Sequence, residues 1–318
     1  MILGLLNIAD LLKLFEDHLY RPRVINELSR RLNSTLAHFV PEPEEFRNVM
    51  RRGGALIGGA VPLWYAMCQP RAWRPDHLDL FIPNTSRPMF FHYFTSMPGC
   101  SILNAKAYLW ELKSQWRFRL NAFCVLTSRG VVRVVCAEGP DPLSAVPFYW
   151  ATHLMNVLTA DAFVSPYFRI TMAGYAIGLD GRKVLRGDDD VGDDIVRGAI
   201  EETDEEVWLG SEDDGPLIDP RGFSVFESGG GFAKLRHGCR NFVGCCQRDR
   251  TWTDNETLLV QIGWGGGYDP FHMFRFSEAK WSLKVRPCAN KVCFFTRDFG
   301  FPHGRVEGLE EDLYDDDE

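Results

Sequence analysis

A chain of 318 residues, 45% of them hydrophobic, can bury a sizeable core in one large domain or two smaller ones. Its formal net charge of −8 argues against broad, sequence-independent nucleic-acid binding, which needs a basic face. Nine cysteines are scattered without a framework spacing, and no run of about eighteen apolar residues predicts a membrane span.

The first residues, MILGLLNIADLLKLF, are apolar but have no basic leader and no small-residue cleavage site, and Asp10 and Lys13 interrupt them. Leu5, Ile8, Leu11, Leu12, Phe15 and Leu19 recur at helical spacing, so an amphipathic helix packed on the core is the better reading. An intracellular chain, cytoplasmic or nuclear, with reduced cysteines is the expectation. Residues 5–39 read as helices, with Leu28, Leu32, Leu36 and Phe39 on one stripe. Pro43 suits a first helical position and Glu44 and Glu45 a first turn, opening a short helix that ends near Gly53-Gly54. Together these make a helical N-terminal segment over residues 1–52.

A core is expected over 53–180. It begins with a short buried element, Ala55 to Ile57, and a Gly58-Gly59 turn. An apolar helix from Ala60 to Met67, a loop rich in Pro and Arg, and a strand from His77 to Pro83 follow, with Asp79 inside the strand. A helix begins near Met89–Tyr93, and Met97–Cys100 is a turn. In Trp116–Thr127, Trp116, Phe118, Leu120 and Ala122 alternate with Arg117, Arg119 and Asn121. This predicts a strand with one buried and one polar face. Val131–Ala137 completes a hairpin across Arg129-Gly130. Asp141-Pro142 opens a helical segment running through Phe148, Tyr149, His153 and Met155 to Leu158, and 161–177 reads as a loop with one short element.

Residues 181–220 form an acidic loop or insertion, most acidic over 188–219, where Arg197 is the one basic residue. This reads as a solvated surface or as a docking site for a basic protein partner. Strands between glycine turns are expected over 221–305, packed on the core, and an acidic disordered tail over 306–318.

The Gly-Gly turn, the helix after it and the strand HLDLF resemble the nucleotidyltransferase-like fold of the DNA polymerase β superfamily, in the divergent form found in predicted proteins of mushroom-forming fungi. FRNVMRRGGALIGGA is similar to that family's entry to the core. WRFRLNAFCVLTS resembles its third-acid strand, and PFYWATHLMNVLTADAFVSPYFRITMAG and HGCRNFVGCCQRDRTWTD resemble later segments. The resemblance spans roughly residues 40–260. It implies an α+β fold, a mixed sheet flanked by helices. It also implies a site in which Gly58 and Gly59 offer backbone N–H groups to the phosphates of a nucleoside triphosphate. Three carboxylates would hold two Mg²⁺ or Mn²⁺ ions.

Two of the three acids are replaced. Asp79 matches the second acid, but His77 stands at the first, two residues away on the same strand face. Asp76 would point to the opposite face unless a bulge after Pro75 re-aimed it. Asn121 is the best match to the third acid, with Arg119 on its face. Such a set carries about one negative charge instead of three, a poor cage for hard cations that want anionic oxygen. His77 with Asp79 would suit a softer ion such as Zn²⁺ or Mn²⁺. The expectation is a catalytically degenerate nucleotidyltransferase-fold protein that binds a nucleotide or a partner. The alternatives are an active metal-dependent nucleotidyltransferase and a purely structural or interaction protein.

His237, Cys239, Cys245 and Cys246, with Cys288 and Cys293, are the one candidate zinc cluster, though buried reduced cysteines explain them as well. Gly229–Gly231 and Gly265–Gly267 lack the Lys-Ser/Thr of a phosphate loop and read as strand turns. Arg117, Arg119 and Arg133 suggest either a small basic face or an ordinary solvated sheet face.

Overall fold

A computed structural model describes residues 3–68, 73–103, 121–137, 139–149, 151–178, 217–218, 224–227, 250–254, 257–263, 269–277 and 279. The N-terminal helices form where the apolar spacing puts them: α1 at Ile8–Phe15, α2 at Arg21–Leu36 and α3 at Pro43–Gly53. Asn7 caps α1 by accepting from the Asp10 N–H, and Pro43 starts α3. Gly54, at φ 60°, ends α3 in the left-handed conformation that glycine adopts without strain.

The central sheet has eight strands. In chain order they are β1 (Leu56–Gly58), β2 (His77–Pro83), β3 (Ser101–Leu103), β4 (Asn121–Leu126), β5 (Val131–Ala137), β6 (Val157–Leu158), β7 (Ala162–Ser165) and a late strand at Leu258–Gln261. Between β7 and that strand lies a separate three-stranded sheet of β8 (Tyr175–Gly178), β9 (Leu217–Ile218) and β10 (Ser224–Glu227), which makes the late strand β11. The large sheet runs β11-β7-β6-β1-β2-β5-β4-β3. Its β2–β5 pair is parallel and its other pairs are antiparallel. The architecture is therefore mixed α and β, as the α+β expectation holds.

Two cores lie on the two faces of this sheet. Leu78, Leu80 and Ile82 of β2, with Val132, Val134, Phe123 and Val125, pack against α1, α2, α3 and α5 (Arg87–Ser96). Phe81, Val135 and Leu56 face the other way, onto Leu143, Val146 and Tyr149. Alternation along β2 thus sends Asp79 toward the second core, the face it shares with His77 and Phe81.

Three expectations change here. In β4 both faces are covered: Phe123 and Val125 pack in the first core, while Cys124 is buried and Ala122 packs against the second, so the paired strand is not divided into one buried and one polar face. The polar alternation around Arg117 and Arg119 lies outside the described residues and does not extend into the paired strand. The aromatic helix expected from Asp141 to Leu158 is instead a 3-10 segment at Pro142–Phe148, a second one at Thr152–Leu154, and β6. Pro147 supplies the reason: it lacks an N–H and disfavours α geometry in the residue before it. Residues 161–177 hold β7, a short helix α6 (Phe168–Met172) and the start of β8.

Buried polar contacts tie the helices to the far half of the sheet. Arg47 donates from Nε to the Ala160 carbonyl (2.9 Å) and from Nη1 to Ser29 Oγ and Asn33 Oδ1. Arg51 grips Asp161 with Nε at 2.6 Å and Nη2 at 2.8 Å. At the β11 end, buried Arg250 pairs with Asp254, donates to the Pro166 carbonyl (2.7 Å) and lies over the Tyr167 ring. No helix among the described residues is long and apolar enough to cross a membrane.

Asp161 answers two guanidinium groups at once, so its loss leaves buried Arg47 without its ion-pair partner. Asp161→Ala is expected to lower unfolding stability by about 3 kcal/mol, the low end for a broken buried pair because Arg51 is partly solvated. Urea denaturation measures it, with Arg52→Ala, which breaks only the exposed pair to Glu45, expected to change little.

Candidate functional site

The strand register builds the site. Gly58 of β1 pairs with Asp79 of β2, Asp79 with Arg133 of β5, and Arg133 with Cys124 of β4. Paired residues share a sheet face, so this row lines up one glycine, one carboxylate, one guanidinium and one thiol. Arg133 closes on Asp79 with both prongs of its fork: Nε to Oδ1 at 2.6 Å and Nη2 to Oδ2 at 2.9 Å. Tyr149, just after the Pro142–Phe148 segment, donates its hydroxyl to Asp79 Oδ2 at 3.0 Å. His77 Nε2 lies 3.7 Å from the same oxygen, beyond hydrogen-bond length, and its side chain is 36% exposed.

The electrostatics follow from burial and charge. Burial by itself would raise the Asp79 carboxyl. The Arg133 charge, helped by His77 and by the Arg133 hydrogen bonds, outweighs that and holds the group well below the usual carboxylate range. Burial, and then the Asp79 charge, push the Tyr149 hydroxyl well above its ordinary value, so Tyr149 remains a donor. Burial also raises the Cys124 thiol to about 11, leaving it protonated at neutral pH.

The glycines serve this packing. Gly59 sits at φ 73°, and an added Cβ would meet the Tyr149 hydroxyl at 2.8 Å and Asp79 Oδ2 at 2.9 Å. A Cβ on Gly58 would meet the Phe81 ring at 2.8 Å and Tyr149 at 3.1 Å. The Gly59 N–H donates to the Leu154 carbonyl at 3.2 Å. The helix that follows, α4, is the seven-residue Ala60–Ala66. The space beside the two glycines is thus taken by an aromatic ring, and the Gly59 N–H already has an acceptor.

The expected site residues are only partly brought together. Asp79, His77, Gly58 and Gly59 converge, whereas Asp76 is exposed. Asn121 pairs with Cys136, whose own partner in β2 is Ile82, so the register sets Asn121 two strands away from Asp79 and outside its row. Arg119 lies outside the described residues, as do His237, Cys239, Cys245, Cys246, Cys288, Cys293 and the acidic clusters of 188–219. Arg133 belongs to no open basic face; its side chain is 14% exposed and bound to Asp79.

Two residues of the site have roles other than those the sequence suggests, Arg133 in place of a basic or solvated face and Tyr149 in place of a helix. Arg133 lies in the expected strand, but the parallel β2–β5 register that pairs it with Asp79 is not encoded in either strand alone. Helical periodicity through Tyr149 gives no sign of its placement over the glycines.

The donor set does not fit Mg²⁺ or Mn²⁺. Both oxygens of the one carboxylate in the row are engaged by a cation, and hard ions need several anionic oxygens. Among the described residues no group of three or more His, Cys, Asp or Glu is placed to hold a metal ion. What the arrangement does is neutralise one buried charge with another and lock the turn between β1 and α4 against residue 149. Comparisons with protein-family models, with curated proteins and with solved structures find no match.

Two outcomes follow for stability. Tyr149→Phe removes a hydrogen bond to a charged acceptor and is expected to lose about 1.5–3 kcal/mol. Gly59→Ala should be destabilised by about 1–3 kcal/mol from its backbone conformation, before any clash. Gly139→Ala, where nothing lies within 4 Å, is the matched control; urea unfolding of all three variants reads the effects.

The pH dependence has a definite sign. The folded Asp79 carboxyl lies below its unfolded value of about 3.9. Its contribution is therefore fully present above that value and is lost as pH falls toward the folded one. The stability gap between the natural protein and Asp79→Asn is expected to be constant from about pH 5 to 7 and to shrink steadily below about pH 4. A gap that widened on acidification would contradict the depressed carboxyl.

Proposed function

We propose that this chain is a nucleotidyltransferase-like scaffold whose acid site has become a structural ion-pair network, and that it acts by binding a protein partner instead of transferring a nucleotide. The observation that carries this reading is the bidentate Arg133–Asp79 pair closed by Tyr149. The one acid that the family pattern retains, Asp79, serves as counter-ion to an arginine on the neighbouring strand. The layout that suggested the scaffold supports it still: a Gly-Gly turn, a short helix and an antiparallel acidic strand, with Gly58 in register with Asp79.

A basic protein is the partner that the charge distribution favours. Residues 188–219 contain fourteen acidic side chains and one arginine. The remainder of the chain therefore carries 34 basic and 29 acidic residues, so the negative character of the protein is concentrated in one stretch. Such a concentration attracts a lysine- or arginine-rich surface through interactions that salt screens.

Two experiments test the two halves. Incubation with labelled nucleoside triphosphates, Mg²⁺ or Mn²⁺ and mixed RNA and protein acceptors is expected to give no transfer above the level of Asp79→Ala. Metal-dependent transfer abolished in that variant would establish the active-enzyme alternative instead. Binding of a lysine-rich peptide to the full chain is expected to weaken steeply between about 0.05 and 0.5 M salt. It should also fall when Glu201, Glu202, Asp204, Glu205 and Glu206 are replaced by their amides. Binding indifferent to both changes would remove the acidic stretch from the account.

A further inference from the structure

We draw no further inference here: the strongest candidate, the shallow cavity between α3 and the β6–β7 hairpin lined by Arg51, Thr159, Asp161 and Met273, has its charged groups already engaged with one another, and nothing in the structure shows what would occupy it.

Discussion

A carboxylate and a guanidinium, side by side on the two parallel strands of the sheet, set the terms for the surrounding structure. Asp79 is 5% exposed, and a buried charge of either sign is tolerated only when it is paired and its hydrogen-bonding capacity is used. Arg133 supplies the opposite charge through a planar fork that matches the carboxylate, and Tyr149 takes a further lone pair. Removing any one of the three leaves the others with an unmet demand in a water-poor place. The interaction is thus better understood as a requirement for completeness than as a large stabilising term. A well-packed apolar replacement of the whole set need not be less stable.

That requirement accounts for several local features at once. The β1–α4 turn uses two glycines because any Cβ there would strike Phe81, Tyr149 or the carboxylate. Residues Pro142–Phe148 take a 3-10 path because the internal Pro147 disfavours a regular helix, and this path brings Tyr149 over the sheet while Leu143 and Val146 fill the core beside it. The same geometry bears on chemistry. A carboxylate held by arginine is a poor metal ligand, because the cation it would recruit must displace one already positioned.

Much of this fold was legible in the sequence where one element decides the answer. The span of β2 matches its residues, since an apolar run from Leu78 to Ile82, interrupted by Asp79, ends at a proline and is buried on both faces. Pro43 and Gly53-Gly54 fixed both ends of α3. The β4–β5 hairpin was visible from two β-rich runs and a short turn. What failed depended on partners. The covering of β4 on both faces comes from the neighbours it packs against, which its own residues do not encode. The apolar-aromatic stretch after Asp141 reads as a helix by periodicity, yet one internal proline outweighs it. Asn121 matched a motif by position, while the register passed the facing position to Arg133, a non-local choice that no single segment encodes.

The central claim is that Asp79 and Arg133 exist for each other. A double-mutant cycle with Asp79→Asn and Arg133→Met, read by urea unfolding at pH 7, tests it most directly. Each single change should be clearly destabilising. The double variant should recover part of the loss, with a coupling of about 1–3 kcal/mol. Additive losses, with no coupling between the two positions, would contradict the account and return Asp79 to the list of groups free to hold a ligand.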